Sequence, residues 1–140
     1  MANLSQTAAN VAIGSRETRT QIVQAGESIT QGMPVYLSTA DNKYYQSDAN
    51  ASATAAQCNG IALTPASTDG YFVMALPGSS SRVNVGATLT VGQIYAVSAT
   101  KGAICPVGDL TTGDYPTILG PAVTTALLGF DVISAGVAKP

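Results

Sequence analysis

The feature that most constrains this chain is an internal duplication. Gly26 returns as Gly86, Ile29 as Leu89, Thr30 as Thr90 and Gly32 as Gly92. The same spacing continues through Leu37/Val97, Ser38/Ser98, Gly60/Gly120, Ala62/Ala122 and Leu63/Val123. The register is ordered and ungapped. Each copy reads Gly-x-x-[Ile/Leu]-Thr-x-Gly, then an apolar segment ending in Ser, and later Gly-x-Ala-[Leu/Val]. Such a motif describes a turn feeding a strand. The glycines allow positive φ or close backbone approach. The lone apolar residue plugs a core, as inward-facing positions do in a small barrel. Two such halves predict one closed or nearly closed β domain, an arrangement that also hides strand edges.

The rest of the sequence agrees with short strands at regular spacing. Thr18, Thr20 and Ile22 alternate with Arg19, Gln21 and Val23. Pro34 to Ser38, Lys43 to Gln46, Asn59 to Leu63, Tyr71 to Leu76, Arg82 to Val85, Gln93 to Val97 and Ala103 to Cys105 read as strands, as do Ile118-Leu119, Ala122-Val123 and Phe130 to Ile133. Asp41-Asn42, Thr68-Asp69-Gly70, Pro77-Gly78-Ser79, Lys101-Gly102 and Thr112-Gly113-Asp114 punctuate them with turn residues. The pattern predicts an all-β fold, a small barrel or a sandwich, built of two roughly 60-residue repeats (about 26–76 and 86–134). Asp48 to Gln57 is expected to be a loop, and Thr124 to Leu128 one helical turn.

The opening segment differs. It is made of Ala, Asn, Ser, Thr and Gln, with isolated Leu4, Val11 and Ile13 and no charge before Arg16. Asn3, Asn10 and Gly14 disfavour a stable helix. The expected organisation is therefore an extended N-terminal arm (1–18) and a β domain (19–140), with the arm ordering on a partner surface.

Charged residues make up only 10% of the chain, against about 25% in an ordinary globular domain. A surface of Ser, Thr, Asn, Gln and Ala suits contact with other protein surfaces better than independent solubility. The net charge is −2, and the six cations (Arg16, Arg19, Lys43, Arg82, Lys101, Lys139) are scattered. Nucleic-acid binding needs several phosphates neutralised on one face, so nucleic acid is not an expected partner. No stretch approaches the roughly twenty apolar residues of a membrane span, and the N-terminus lacks a signal-peptide pattern. Synthesis in the cytoplasm is expected, with no membrane association. There, Cys58 and Cys105 are expected to be buried small hydrophobes.

Catalytic chemistry finds little to work with. There is no His, which removes the commonest general base and metal ligand. Two lone cysteines make no standard zinc site. Gly26 to Gly32 lacks the Lys-Ser/Thr ending of a phosphate loop. The acids Glu17, Glu27, Asp41, Asp48, Asp69, Asp109, Asp114 and Asp131 mostly sit beside turn residues. Paired carboxylates for glycoside chemistry are not singled out among them. Asp109 and Asp114 flank a turn but lack the spacing of a calcium loop. No catalytic, cofactor or metal residues are expected, and an enzyme is not. Adjacent Tyr44 and Tyr45 must face opposite sides of a strand, which puts one of them outward as a candidate interface residue.

The motifs Gly26 to Leu37, Gly60 to Leu63, Gly70 to Gly78, Gly86 to Val97 and Gly120 to Val123 resemble those of tailed-phage head decoration (capsid cement) proteins. The resemblance covers about 26–133. Gln93, where that family often has an acidic residue, and Met33-Pro34 depart from its pattern at structural positions. The resemblance implies a homo-oligomer, commonly a trimer, on the outer surface of a virion head. It implies binding to the major capsid protein, shell stabilisation and no catalysis. The arm residues Asn3, Leu4, Val11, Ile13, Arg16 and Arg19 are then the expected capsid anchor. The competing expectation is a receptor- or glycan-binding β module of a phage tail or fibre, with exposed Tyr, Asn and Asp on its loops.

Overall fold

The computed structural model describes residues 3–140. Twelve short strands appear among them: β1 (Ala12–Ile13), β2 (Thr20–Gln24), β3 (Pro34–Ser38), β4 (Lys43–Gln46), β5 (Gly60–Ala62), β6 (Tyr71–Ala75), β7 (Arg82–Asn84), β8 (Ile94–Val97), β9 (Ile104–Pro106), β10 (Thr117–Pro121), β11 (Leu127–Gly129) and β12 (Ile133–Ser134). Two 3-10 turns, at Ala8–Asn10 and Val107–Asp109, are the only helical elements among the described residues. The fold is all-β, in three antiparallel sheets, sandwich-like and without a closed barrel.

The duplication is written into the hydrogen-bond register. In the first copy β3 meets β4 at Val35↔Gln46, Tyr36↔Tyr45 and Leu37↔Tyr44. In the second, β8 meets β9 at Tyr95↔Pro106, Ala96↔Cys105 and Val97↔Ile104, the same pairs sixty positions on. Pro34↔Ile61 and Val35↔Gly60 likewise return as Ile94↔Pro121 and Tyr95↔Gly120. The turn before each strand repeats too. Met33 N–H donates to Thr30 O, and Gln93 N–H to Thr90 O, with Gly32 at φ +90° and Gly92 at φ +85°. A positive φ at the third turn position is the type II requirement, and glycine meets it without steric cost.

Strand order repeats as well. The first sheet runs β2-β6-β5-β3-β4. The second copy runs β7-β11, then β10-β8-β9, joined through the bridge Ala122↔Leu128, the counterpart of Ala62↔Met74, and the bonds Val123 N–H to Leu127 O and Asp131 N–H to Leu119 O. Each structural unit therefore starts one strand before the Gly26 and Gly86 motifs. The first sheet curls until Ala25 reaches Tyr44 in a single parallel bridge.

Each unit has its own core. Val23, Ala25, Ile29, Val35, Ala62, Phe72 and Met74 form the first. The second gathers Val83, Val85, Leu89, Tyr95, Val97, Ile104, Leu119, Leu128 and Phe130, and draws in Ile61 and Ala75 from the first unit. Ile29 and Leu89, the lone apolar residues of the two motifs, are both 2% exposed, one in each core. Cys58 and Cys105 are buried and unpaired, and burial pushes the Cys58 thiol up to about 12.

Three expectations need correction. Residues 124–128 are not a helical turn: the Thr124 hydroxyl accepts from the Ala126 and Leu127 N–H groups, and the chain leaves that bend as β11 against β7. A hydroxyl that caps its own following backbone offers an alternative to a helix. The expected strand over Phe130 to Ile133 is instead split, with β11 before it and β12 at its end. Lastly, the N-terminal segment is extended but not a separate arm. From Asn3 to Gly14 it is strapped across the second unit, and β1 pairs with β7 at Ala12↔Asn84 and Ile13↔Val83. Residues 48–57 form a looped, turn-rich excursion, as expected.

Candidate functional site

The strap is held mainly by its backbone. Leu4 N–H donates to Ile104 O at 2.8 Å, Thr7 N–H to Gly86 O at 2.6 Å and Gly14 N–H to Arg82 O at 2.6 Å. The Gln6 amide donates 2.9 Å bonds to both Gly32 O and Val85 O, and so ties the two units together. Val11 is buried at 9% exposure, and Leu4 packs half-buried against the second core. Asn3 Oδ1 accepts from the Ser98 hydroxyl at 2.6 Å.

Three of the six expected anchor residues, Asn3, Leu4 and Val11, are thus engaged with the chain's own body. The other three, Ile13, Arg16 and Arg19, are exposed. Arg19 also uses its carbonyl to accept from Leu76 N–H.

The expected tyrosine pair is used differently as well. Tyr44 faces the first core, edge-on to Phe72 with ring centroids 6.4 Å apart. Tyr45, on the opposite side of β4, lies over Gly26, whose missing Cβ would run into its ring. Its hydroxyl donates to Asp41 Oδ2 at 2.5 Å, and that bond pushes the phenol up to about 12 while holding the Asp41 carboxyl below its ordinary value. Tyr45 is thus the outward member of the pair, half-buried by that seat. Tyr71, at the start of β6, is more exposed, with 67% of its surface open. Its exposure follows from its position at a strand's first residue beside the Asp69 turn, a signal the sequence carried.

Of the isoleucines on the sheet edges, the sequence singles out Ile13 and not Ile22 or Ile133. β1, β2 and β12 each end a sheet. Each displays one isoleucine to solvent: Ile13 at 46%, Ile22 at 71% and Ile133 at 66% exposure. None of the three strands contains a charged residue or a proline. Soluble proteins commonly guard such edges with lysine, proline or a covering loop.

A polar cleft of about 450 Å³ lies between the strap and the second unit, lined among others by Ser5, Thr7, Asn10, Asn84, Thr88 and Thr125. No charged side chain lines it. Among the described residues no three His, Cys, Asp or Glu side chains converge as metal ligands. Asp109 and Asp114 do not form a shared site. Asp114 is buried and accepts from the Thr111 N–H and hydroxyl, so it stabilises its own turn. Comparison with known protein families, curated proteins and solved structures finds no match to this chain.

Proposed function

We propose that this chain is a structural virion protein, a decoration protein that seats on the outer surface of a tailed-phage head and stabilises the shell of major capsid protein. The observation that carries the reading is the set of bare sheet edges. Three uncharged edge strands each present an isoleucine to solvent, on a chain with 10% charged residues. Edges left open in this way favour pairing with another protein's strand, where main-chain bonds supply affinity and the alternate side chains fill pockets. The sequence resemblance to head decoration proteins supplies the partner.

On this reading the anchor is the outer side of the strap region. Ile13, Arg16 and Arg19, with Ile22 on the neighbouring edge strand β2, meet the capsid protein. Asn3, Leu4 and Val11 keep the strap in place. No catalysis, cofactor or metal belongs to the role, and neither nucleic acid nor membrane is a partner. A homotrimer at each local symmetry axis of the head is the assembly the resemblance implies.

Co-sedimentation of the purified chain with expanded, undecorated heads tests this. Saturable binding at a fixed stoichiometry, weakened at least tenfold by Ile13→Asp or Ile22→Asp, is the expected result. No binding to heads would overturn it.

The polar cleft favours a second reading, a glycan-binding module of a tail or fibre, because its lining offers hydroxyl and amide groups without charge. It lacks an aromatic platform, which ranks it second. Binding to cell-surface glycans in the absence of heads would select it over the first.

A further inference from the structure

The seam between the two units joins unlike faces. The first unit contributes its front: the Gly32 turn, Pro34 of β3, Ile61 of β5 and Leu63. Gly32 and Pro34 are buried, Ile61 belongs to the second core, and Leu63 packs against it. The second unit contributes its back: the Val85 carbonyl, the β8–β9 turn at Gly102, and the strap seated on it. A Cβ on Gly32 would meet Gln6, Val11 and the Val85 carbonyl, and a Cβ on Gly102 would meet Gln46 and Met33. The front of one repeated unit is thus covered by the back of the next.

The shared register gives the second unit the same front. Sixty positions on, Gly32, Pro34, Ile61 and Leu63 become Gly92, Ile94, Pro121 and Val123, and all four are exposed. They form one surface. Ile94 pairs with Pro121, and Gly92 N–H donates to Ala122 O. Ala122 is buried, so Pro121 and Val123 on either side of it point outward together. Ile94 and Val123 each keep 40% of their surface open, and Val91 beside them 60%. A Cβ on Gly92 would have nothing within 4 Å. The chain builds this front twice and covers it once, and the duplication supplies no third unit to cover it again.

We infer that the front of the second unit is a docking surface for the back of the first unit of another copy, so that copies join head to tail as the units join within one chain. The back of the first unit is open to receive it. Asn42, the counterpart of Gly102, is exposed and shares its positive φ, +58° against +77°. The slot over Gly26 is filled by the Tyr45 ring; in the second unit Cys105 stands at that register, and the strap fills the slot over Gly86 with Thr7 and Val11. Within the chain Val11 lies between that slot and the Gly32 turn. Between copies Tyr45 takes the place of Val11, its half-buried ring set against Val91 and the Gly92 turn. A tyrosine suits the position, since its ring buries apolar area while its hydroxyl stays bonded to Asp41. Because the faces are unlike, the contact does not stop at a two-fold pair, and a rotation that closes makes it a ring. A ring of three copies is the homotrimer proposed above; the ring size rests on that reading, and the docking face does not.

The mass of the full chain in solution over a concentration series, without phage heads, tests the face. Assemblies larger than two chains that dissociate on dilution are expected. Ile94→Asp and Val123→Asp should each raise the dissociation constant by about tenfold or more. Both side chains are exposed, so the urea midpoint should not move. Gln93→Cys and Asn42→Cys read the direction, because their counterparts Met33 and Gly102 touch across the seam. Mixed and oxidised, the two variants should give a disulfide-linked heterodimer that neither gives alone; the native Cys58 and Cys105 are buried. A single-chain mass at every concentration overturns the proposal, as does an assembly that Val123→Asp leaves intact. A linked pair from Gln93→Cys alone as the main product means that two like faces meet, and overturns the head-to-tail order. A wild type that stays single while Val123→Asp loses binding to heads gives the face to the capsid protein instead. Failure of the chain to bind heads removes the decoration role and leaves the solution mass to decide the docking face on its own.

Discussion

The two units share a register and differ in what completes them. The first is finished by one of its own side chains, Tyr45 over Gly26. The second is finished by a distant piece of backbone, the strap over Gly86. A duplicated motif thus fixes strands and turns but leaves the last gap to be filled locally. A tyrosine at one copy and a cysteine at the other are enough to change the filler from a side chain to a segment.

The largest expected effect comes from removing that filler. Deletion of residues 2–14 should destabilise the chain by at least about 3 kcal/mol, from the lost burial of Val11 and Leu4 and several main-chain bonds, less the ordering entropy recovered. Urea unfolding of the full and shortened chains measures it. An unchanged midpoint would mean that the second unit is complete without the strap, and the contrast between the units would collapse. An arm lying on a foreign surface would have left the β body intact on removal. The docked strap predicts the opposite.

The glycines sharpen the comparison at single-residue level. Gly86→Ala places a side chain at φ +79° against the Thr7 backbone and should cost about 2–4 kcal/mol. Gly26→Ala meets the Tyr45 ring first and should cost about 1–3 kcal/mol. A double-mutant cycle separates them. Tyr45→Ala should remove most of the Gly26→Ala penalty, because the obstacle is a side chain. No side-chain truncation on the strap should do the same for Gly86→Ala. Additivity in the first cycle would show that Tyr45 does not fill the slot.

The same contrast explains what the sequence reveals and what it hides. Gly32 and Gly92 are legible because a type II turn demands positive φ at one position, and Ile29 and Leu89 because a single apolar residue between turn residues has only the core to enter. β11 is hidden by a loop six residues shorter than its counterpart. Ala62↔Met74 returns as Ala122↔Leu128, so the offset fails after the second Gly-x-Ala motif. The strap is hidden for a different reason. Its docking rests on backbone groups that every residue owns, and its side chains, apart from Leu4, Gln6 and Val11, contribute little pattern. The bare edges depend on strand order, which the local pattern of β1, β2 and β12 does not encode. Tyr44 and Tyr45 were legible as facing opposite ways. Which of them met solvent was not, because Gly26 lies far away in sequence and offers its bare backbone as a seat for the second ring.

Tyr45 also gives the first unit a pH response built on a carboxylate. Its hydrogen bond to Asp41 favours the protonated phenol, so the folded-state value, about 12, lies above the ordinary 10.0. A raised value means that the contribution is fully present below pH 10 and is lost as pH rises through about 12. Absorbance titration of phenolate should show Tyr45 ionising late, alongside Tyr44, which burial also pushes up. Asp41→Asn should bring Tyr45 back toward 10, since the charge that holds the proton is gone. Cys105, at the equivalent position, is pushed up by burial instead, against a lowering hydrogen bond with Ser98. An unchanged titration curve in Asp41→Asn would place the cause of the Tyr45 shift elsewhere, since the Tyr44 shift comes from burial and stays in both.

The smallest effect lies where the units meet. Lys101, in the β8–β9 turn, pairs with Glu27 of the first motif at 2.6 Å. Lys101 keeps 53% of its side chain exposed and Glu27 23%, so water and salt screen the pair. Lys101→Ala should therefore cost no more than about 1 kcal/mol, and less at high ionic strength. The junction has stronger fastenings beside it. Gly102 N–H donates to Ser47 O, Ala49 N–H donates to Ser98 O, and Ile61 and Ala75 of the first unit are buried in the second core. Ile61→Ala, by contrast, empties a fully buried site and should cost about 2–5 kcal/mol. Denaturation of both variants at low and high salt ranks the two. A salt-insensitive loss for Lys101→Ala that equals the loss for Ile61→Ala would mean that charge, not the shared core, joins the units. The expected order, with Ile61 well ahead, means that the duplicated halves are one folding unit whose seam is apolar, and that the strap, through Gln6, is fastened to both sides of it.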